Sequence, residues 1–483
     1  MGFIATEAIL LVAGLTLALA GAARPLRAQA LAWVAALVCA AATLAALVGG
    51  MFVAVDDAWW PRWLTSALSL DALAAFFAVF APLAGLFVCL SAGEYLERQR
   101  IAHAGEFFGL LLLSLFSVCL LAASADLITF YLAIEFLGIT AYALAGFAKR
   151  DPRSSEAGIK YFLVGAVASA IMLYGMSLLY GASGATSLAA IGAELRAHPH
   201  NPVAFGGVAL VLVGLGFKVA LAPFHMWCPD AYEGAPTPIT AFLSVAPKAA
   251  GFAGLLRFLF VAAPAVPWAP VLATLAGLTM IVGNLLAIPQ SNIKRMLAYS
   301  SIGQAGYILI GLVSAPLSPL GLPAVLFYLM AYLLMNLGAF AVVIATSNAI
   351  GSDAIDDYAG LARRSPLLGG ALVVYFLSLA GIPPLAGFLG KLLLFASAVE
   401  AEYYSLAVIG VVNSVISIYY YFNVVRLMFM APPTTGEPLR VERALLLVVV
   451  ATLVGTFALG LFPHAVLRAA GEAAAVLPMA LAR

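Results

Sequence analysis

The stretch Val211-Leu212-Val213-Gly214-Leu215-Gly216-Phe217-Lys218-Val219-Ala220-Leu221-Ala222-Pro223-Phe224-His225 decides how the chain is read. It is an apolar run long enough to cross a bilayer, yet it holds a lysine and is broken five residues later by a proline. A hydrocarbon core about 30 Å thick is spanned by about 20 apolar residues in a helix. A charge near its midplane costs roughly 2.5–3.5 kcal/mol, so such residues persist where they face protein or a wet cavity. Broken helix is tolerated under the same condition. Two further lysines sit in apolar stretches of this kind: Lys248 directly after Pro247, and Lys391 seven residues after Pro384. Three of the six lysines are placed this way, which points towards moving charge.

The composition supports that reading outward from the stretch. The chain is 64% hydrophobic and 9% charged, whereas soluble domains carry about 25% charged residues. Apolar runs of spanning length recur from end to end, so the expected fold is an all-α polytopic membrane protein of about 14 transmembrane helices. A barrel would show short alternating segments, and none dominate. The run Ile9 to Ala20 lacks a positive n-region and reads as a first span rather than a signal peptide. Net charge is +1 with no basic run, so no nucleic-acid partner is expected. Cys39, Cys89, Cys119 and Cys228 stand singly, without the clustering that metal or Fe–S ligation needs, and read as packing residues. His198 and His200 are too isolated for a metal site. No Gly-rich phosphate loop opens a helix after a strand, so no cofactor or metal is expected in this chain.

The spans run at about 3–21, 30–51, 70–92, 106–122, 126–147, 157–181, 203–223, 238–262, 270–289, 295–314, 321–349, 367–400, 405–430 and 441–463. The seventh meets Pro223 and continues to Pro229; the twelfth contains Gly381-Ile382-Pro383-Pro384, Gly387 and Gly390. Odd-numbered loops carry Arg24, Arg27, Arg98, Arg100, Lys149, Arg150, Arg153, Lys294, Arg295, Arg363, Arg364, Arg440 and Arg443. Even loops carry only Arg62 and Arg196, and the tail adds Arg468 and Arg483. The positive-inside rule then places odd loops in the cytoplasm and both termini outside. Residues 1–105 would form helices one to three. Residues 106–262 (helices four to eight) and 263–430 (nine to thirteen) would form two five-helix repeats, and 431–483 helix fourteen and a tail. Five is odd, so the repeats would be inverted, an arrangement common in transporters.

Glu135, in the middle of span five, is the counter-charge to the lysines. It reads either as a structural ion pair or as a switchable partner of Lys218. A second ammonium about 10 Å away contributes roughly 1.7 kcal/mol at an effective dielectric of about 20, and a proton crossing 100 mV needs about 2.3 kcal/mol. One or two such couplings match the load. Arginine keeps its proton and could not do this, so the choice of lysine is meaningful. His225 could relay protons near neutral pH or cap a freed carbonyl. Lys294 and Arg295 read as topology anchors rather than as part of an entry path. Glu156 and Lys160 form a favourable helical pair four residues apart. Arg257 is expected to snorkel to the interface.

At these residues the chain resembles the antiporter-like membrane subunits of respiratory complex I, most of all the subunit N branch of NADH:quinone oxidoreductase. Gly216-Phe217-Lys218-Val219-Ala220-Leu221-Ala222-Pro223-Phe224-His225-Met226-Trp227 is similar to that family's seventh-helix motif. The continuation from Pro229-Asp230-Ala231-Tyr232-Glu233-Gly234-Ala235-Pro236 through Pro247-Lys248 to Phe252 is especially like subunit N. Asn292-Ile293-Lys294-Arg295-Met296-Leu297-Ala298-Tyr299-Ser300-Ser301-Ile302 and Gly381-Ile382-Pro383-Pro384-Leu385-Ala386-Gly387-Phe388-Leu389-Gly390-Lys391 also match, and the likeness covers essentially the whole chain.

The resemblance implies a Glu–Lys pair at Glu135 and Lys218, a bridging lysine at 248 and a terminal lysine at 391. His225 is a further candidate, and Lys294, Glu156 and Lys160 are secondary ones. Lysine at 391 separates the chain from the sister subunit M, which carries glutamate there. Gln304 stands where some relatives have histidine. The implied function is proton translocation coupled to electron transfer from NADH to quinone, in a bacterial inner membrane beside other membrane-arm and peripheral-arm subunits. FMN, Fe–S clusters and quinone would belong to those other subunits. The rival readings are a subunit of a multi-subunit cation/proton antiporter, a non-transporting scaffold, and a hydrogenase-type membrane complex.

Overall fold

The computed structural model describes residues 2–23, 27–50, 66–433, 439 and 441–477. Arg24, Arg62, Arg440 and Arg483, which entered the loop-charge reading, lie outside the described residues. In chain order the helices are α1 (Gly2–Ala23), α2 (Ala28–Gly50), α3 (Ala72–Arg98), α4 (Ala104–Ala123), α5 (Leu127–Ala145), α6 (Pro152–Ser183) and α7 (Leu188–Ala197). There follow α8 (Pro202–Lys218), α9 (Trp227–Gly234), α10 (Thr237–Arg257), α11 (Ala269–Ala287), α12 (Ile293–Ser314) and α13 (Gly321–Ile350). The series closes with α14 (Leu361–Arg364), α15 (Pro366–Ala380), α16 (Ala386–Glu400), α17 (Tyr404–Met430), α18 (Arg443–Leu461) and α19 (His464–Ala475).

Among the described residues twelve helices are long and apolar enough to cross a membrane. Expected spans seven and twelve are the ones that break, into α8 with α9 and α15 with α16. The chain is a polytopic helical membrane protein. The short α7, α9, α14 and α19, of 10, 8, 4 and 12 residues, were not expected as separate helices, because a search for spans about 20 residues long passes over segments of this length.

The helix starts follow from local chemistry. Asp71, Asp126, Asp151, Asn201 and Asn292 each accept from backbone N–H groups of the first turn of α3, α5, α6, α8 and α12. Those donors have no intrahelical partner, and a short polar side chain at the N-cap satisfies them. Pro152 and Pro202 occupy first helical positions, where a missing N–H costs nothing.

Burial departs from that of a soluble fold in two ways. The most apolar window of α10 and its π-helical end is 100% buried, and those of α12 and α13 are 94% buried. These central helices carry Lys248, Ser300, Ser301, Gln304 and Asn336. The outer helices instead expose apolar side chains such as Val12, Leu37, Ile159 and Val415, as a lipid-facing surface requires.

Arg257 corrects an expectation. It does not snorkel: it is buried, with a bidentate ion pair to Asp71 at 2.5 and 2.6 Å and a hydrogen bond to the Ala122 carbonyl at 2.7 Å. It thereby ties the end of α10 to the cap of α3 and the end of α4. A guanidinium has donors enough for both partners at once, and Asp71 lies too far away in sequence to be foreseen.

Candidate functional site

Both breaks are built alike. α8 ends at Lys218, Ala220 takes a left-handed φ of 58°, and the Leu221 N–H closes back on the Gly216 carbonyl at 2.8 Å. α15 ends at Ala380, Gly381 takes a φ of 91°, and the Ile382 N–H closes on the Leu377 carbonyl at 2.9 Å. A left-handed residue followed by such a bond is a common way to end a helix. Pro223 and Pro384, three residues past the left-handed position, forbid continuation.

Polar groups freed by a break must find partners away from water. At the first break the Trp227 indole donates to the Phe217 carbonyl (3.1 Å), and Thr279 Oγ1 on α11 accepts from the Ala222 N–H (3.0 Å). At the second, Gln304 Nε2 donates to the Leu379 carbonyl (3.1 Å), and Ser378 Oγ accepts from the Gly387 N–H (3.1 Å). The Ala380 carbonyl accepts from both Lys391 Nζ and Ser414 Oγ, each at 3.2 Å.

The three lysines are brought to the protein interior, with 2, 3 and 3% exposure for Lys218, Lys248 and Lys391. None faces lipid. Lys248 donates to Ser301 Oγ at 2.6 Å and lies 5.7 Å from the centre of the Tyr232 ring. Lys391 donates to Ser414 Oγ at 2.6 Å and lies 4.2 Å over the Tyr307 ring, a geometry that favours a cation. The Lys218 ammonium has no hydrogen-bond partner among the described residues; its stem rests on Gly251, where an added Cβ would come within 3.3 Å of Lys218 Cγ. Gly251 lies one helical turn from Lys248, so both lysines meet the same face of α10.

Glu135 on α5 accepts a hydrogen bond from Ser169 Oγ on α6, and Ser169 also shares one with the Tyr131 hydroxyl at 3.1 Å. Glu135 and Lys218 do not form an ion pair in this arrangement. His225 is half-buried in the first break, beside the Pro223 backbone, and its Nδ1 has no partner among the described residues.

The secondary candidates gather at the mouth of the first break, on the face of the odd-numbered loops. Lys160 pairs with Glu156 and with Asp230, each at 2.8 Å, and Arg295 pairs with Asp230 at 2.6 Å and Glu233 at 2.9 Å. Burial pushes the Asp230 carboxyl up, but hydrogen bonds from Lys160 and Arg295 outweigh it and hold the group below its ordinary range. Lys294 is buried, donates to the Ala235 carbonyl at 2.8 Å and lies 3.5 Å from Asp353. It ties α12 to the end of the broken span. Sequence reading missed Asp230, Ser169, Ser301, Ser414 and Tyr307. For Ser301 and Tyr307 a signal existed: Ser300, Ser301, Gln304 and Tyr307 recur at helical spacing in a helix with no exposed polar face to serve.

Among the described residues no group of three or more His, Cys, Asp or Glu side chains could hold a metal. The arrangement instead offers three titratable amines in one core, each beside broken backbone or hydroxyls.

The sequence matches the family described as NADH:quinone oxidoreductase/Mrp antiporter, TM over residues 124–417, more than half of the chain. It is 46% identical over 397 residues to NADH-quinone oxidoreductase subunit N of Moorella thermoacetica, covering 82% of this chain and 83% of the relative. It is 42% identical over 486 residues to the subunit N of Trichlorobacter lovleyi, covering 98% and 96%. A chain in the structure of respiratory complex I from Thermus thermophilus with bound aureothin superposes with a TM-score of 0.80 at 37% identity, covering 97% of this chain and 99% of that one. A chain of the Mrp complex from a Dietzia species shares the fold, with a TM-score of 0.85 at 24% identity, covering 98% of this chain and 97% of that one.

Proposed function

Because this chain belongs to the subunit N family of NADH-quinone oxidoreductase, we propose that it moves protons along Lys218, Lys248 and Lys391. It is a proton-translocating membrane-arm subunit of the oxidoreductase, and identities of 42–46% to subunit N against 24% to an Mrp chain favour that over the antiporter reading. The observation that carries the proposal is the burial of all three amines in the core beside broken or hydroxyl-lined backbone. A buried ammonium costs several kcal/mol even after relaxation, and packing alone would be served by leucine.

In this reading a proton resting on one amine repels the next, and Glu135 gates the row by exchanging Ser169 for Lys218. The row lies in a hydrated internal path. His225 stands at its entrance, and Lys294, Glu156 and Lys160 shape the surface around it. Residues 106–262 and 263–430 act as inverted halves, a division supported by the shared build of the two breaks. No redox group belongs to this chain; electron transfer and quinone chemistry belong to partner subunits of the complex. The host membrane is the bacterial inner membrane, with odd loops in the cytoplasm and both termini outside.

The test is Glu135→Ala and Lys218→Ala in the assembled complex. Artificial-acceptor oxidation of NADH should persist while proton pumping is lost. Normal pumping by either variant would sink the proposal. Co-purification with Fe–S proteins separates this reading from the antiporter.

A further inference from the structure

Lys248 and Lys391 are held by different helices, yet a series of buried polar side chains lies between their positions, joined in part by hydrogen bonds and in part by neighbouring places in the chain. Ser301, which receives Lys248, adjoins Ser300 along α12, and the Ser300 Oγ shares a hydrogen bond with the Tyr421 hydroxyl. The neighbouring Tyr420 packs ring to ring with Tyr421 at 4.4 Å and donates its hydroxyl proton to Asn284 Oδ1 at 3.0 Å. Asn284 Nδ2 donates to the Tyr307 hydroxyl at 3.2 Å. The same nitrogen also donates to Asn413 Oδ1 at 3.4 Å and to the Met280 carbonyl at 2.8 Å, and the carbonyl fixes which end of the amide is the donor. Tyr307 carries Lys391 over its ring, and Ser414 accepts from the same ammonium. All of these side chains except Ser414 are at most 3% exposed.

We propose that this seam between α11, α12 and α17 is the proton connection between Lys391 and the α12 turn that holds Lys248, with Asn284 as its positioning residue. The proposal rests on the reading that the lysines carry protons. Gln304, another buried polar group on α12, is committed to the Leu379 carbonyl and the Tyr328 hydroxyl. Tyr420, Tyr421 and Tyr307 carry no such anchoring duty to the break; Ser414, at the Lys391 end, does, through the Ala380 carbonyl.

A hydroxyl can take one proton and release its own. An ammonium at one end then becomes an amine while the amine at the other becomes an ammonium, and no group between them keeps a charge. An amide does not take up a proton near neutral pH, so Asn284 acts by holding the Tyr420 and Tyr307 hydroxyls at its two ends. A single bridging water can pass a proton across such a gap. The bonds run in one sense, from Tyr420 through Asn284 to Tyr307, which aims the seam at Lys391.

The experiment compares Tyr420→Phe, Asn284→Leu, Lys391→Ala and a control, Tyr375→Phe, in the assembled complex in membrane vesicles. Tyr375 is equally buried but bonds Thr452 and the Val449 carbonyl, away from the seam. Tyr420→Phe and Asn284→Leu should slow coupled turnover about two- to tenfold, the range for losing one buried hydrogen bond. They should also enlarge the solvent deuterium isotope effect, which a packing defect would not change. Tyr375→Phe should leave both unchanged. If Tyr420→Phe, which removes a single oxygen, keeps the native rate and isotope effect while Lys391→Ala loses pumping, the seam is not the connection. If Lys391→Ala also pumps normally, the underlying lysine reading has failed instead.

Discussion

The two breaks share a turn and differ in who satisfies it. At the first, neutral donors and acceptors close the backbone: Trp227 takes the Phe217 carbonyl and Thr279 takes the Ala222 N–H. Lys218 precedes the turn, on the incoming half-helix, and contributes nothing to it. At the second, Lys391 follows the turn on the outgoing half-helix and reaches back to the Ala380 carbonyl that the break has freed. A broken helix is thus not a lysine site by itself. It is a set of unpaired backbone groups, and a neighbouring ammonium either helps to satisfy them or is left to respond to distant charge.

The largest effect that could break this comparison is on transport. Lys218→Ala and Lys391→Ala should each lower proton pumping on the order of 10²-fold, the low end for removing a positioned proton-transfer group. Acidification of vesicles carrying the assembled complex measures it. Lys391→Arg should be as inert as alanine, because guanidinium keeps its proton; pumping by the arginine variant would show that residue 391 serves only as a fixed charge.

Smaller effects test the turns themselves. Trp227→Phe removes the indole donor from the Phe217 carbonyl, which keeps the Ala220 N–H at 3.0 Å; the cost is about 0.5–1.5 kcal/mol for the hydrogen bond, with a further loss from the buried ring atoms removed. Ser414→Ala should cost less, about 0.5–1.5 kcal/mol, since Lys391 still donates to Ala380. Equal losses in the thermal midpoint of the purified complex would mean that the breaks are closed in the same way. Gly381→Ala adds a Cβ 2.9 Å from Lys391 Cδ at a φ of 91°, at about 1–2 kcal/mol for the left-handed backbone alone. Ala220→Gly has the opposite sign. It relieves a left-handed alanine and should stabilise by up to about 1 kcal/mol, read as a raised midpoint.

The smallest effect concerns pH. Asp230 lies on α9, just past the first break, with Lys160 and Arg295 holding its carboxyl below the ordinary range. Its contribution is therefore complete above the ordinary carboxylate pKa and is lost as pH falls through the depressed value. Partial exposure limits it to about 0.2–1 kcal/mol per pair. Acid should lower the thermal midpoint of the native complex more than that of Asp230→Asn, and equal acid sensitivity would remove Asp230 from the account.

Much of the candidate site was legible because lipid makes charge conspicuous. Lys218, Lys248 and Lys391 stood out against apolar runs, and Pro223 and Pro384 marked where the helices fail. The partners were not legible. Ser169 holds Glu135, and Ser301 and Ser414 hold the lysines, yet serine is too common in these helices to stand out. Arg257 was misread because an arginine near a helix end looks the same whether it reaches water or a distant aspartate.

Amino-acid order alone determined the apolar spans, their breaks and the presence of titratable amines within them, since hydrophobic length and proline act locally along the chain. Only the tertiary structure decided which freed carbonyl meets which amine, that Glu135 rests on Ser169, and that Arg257 closes on Asp71. Those contacts are short-ranged and join residues far apart in the chain, so packing alone sets their distances.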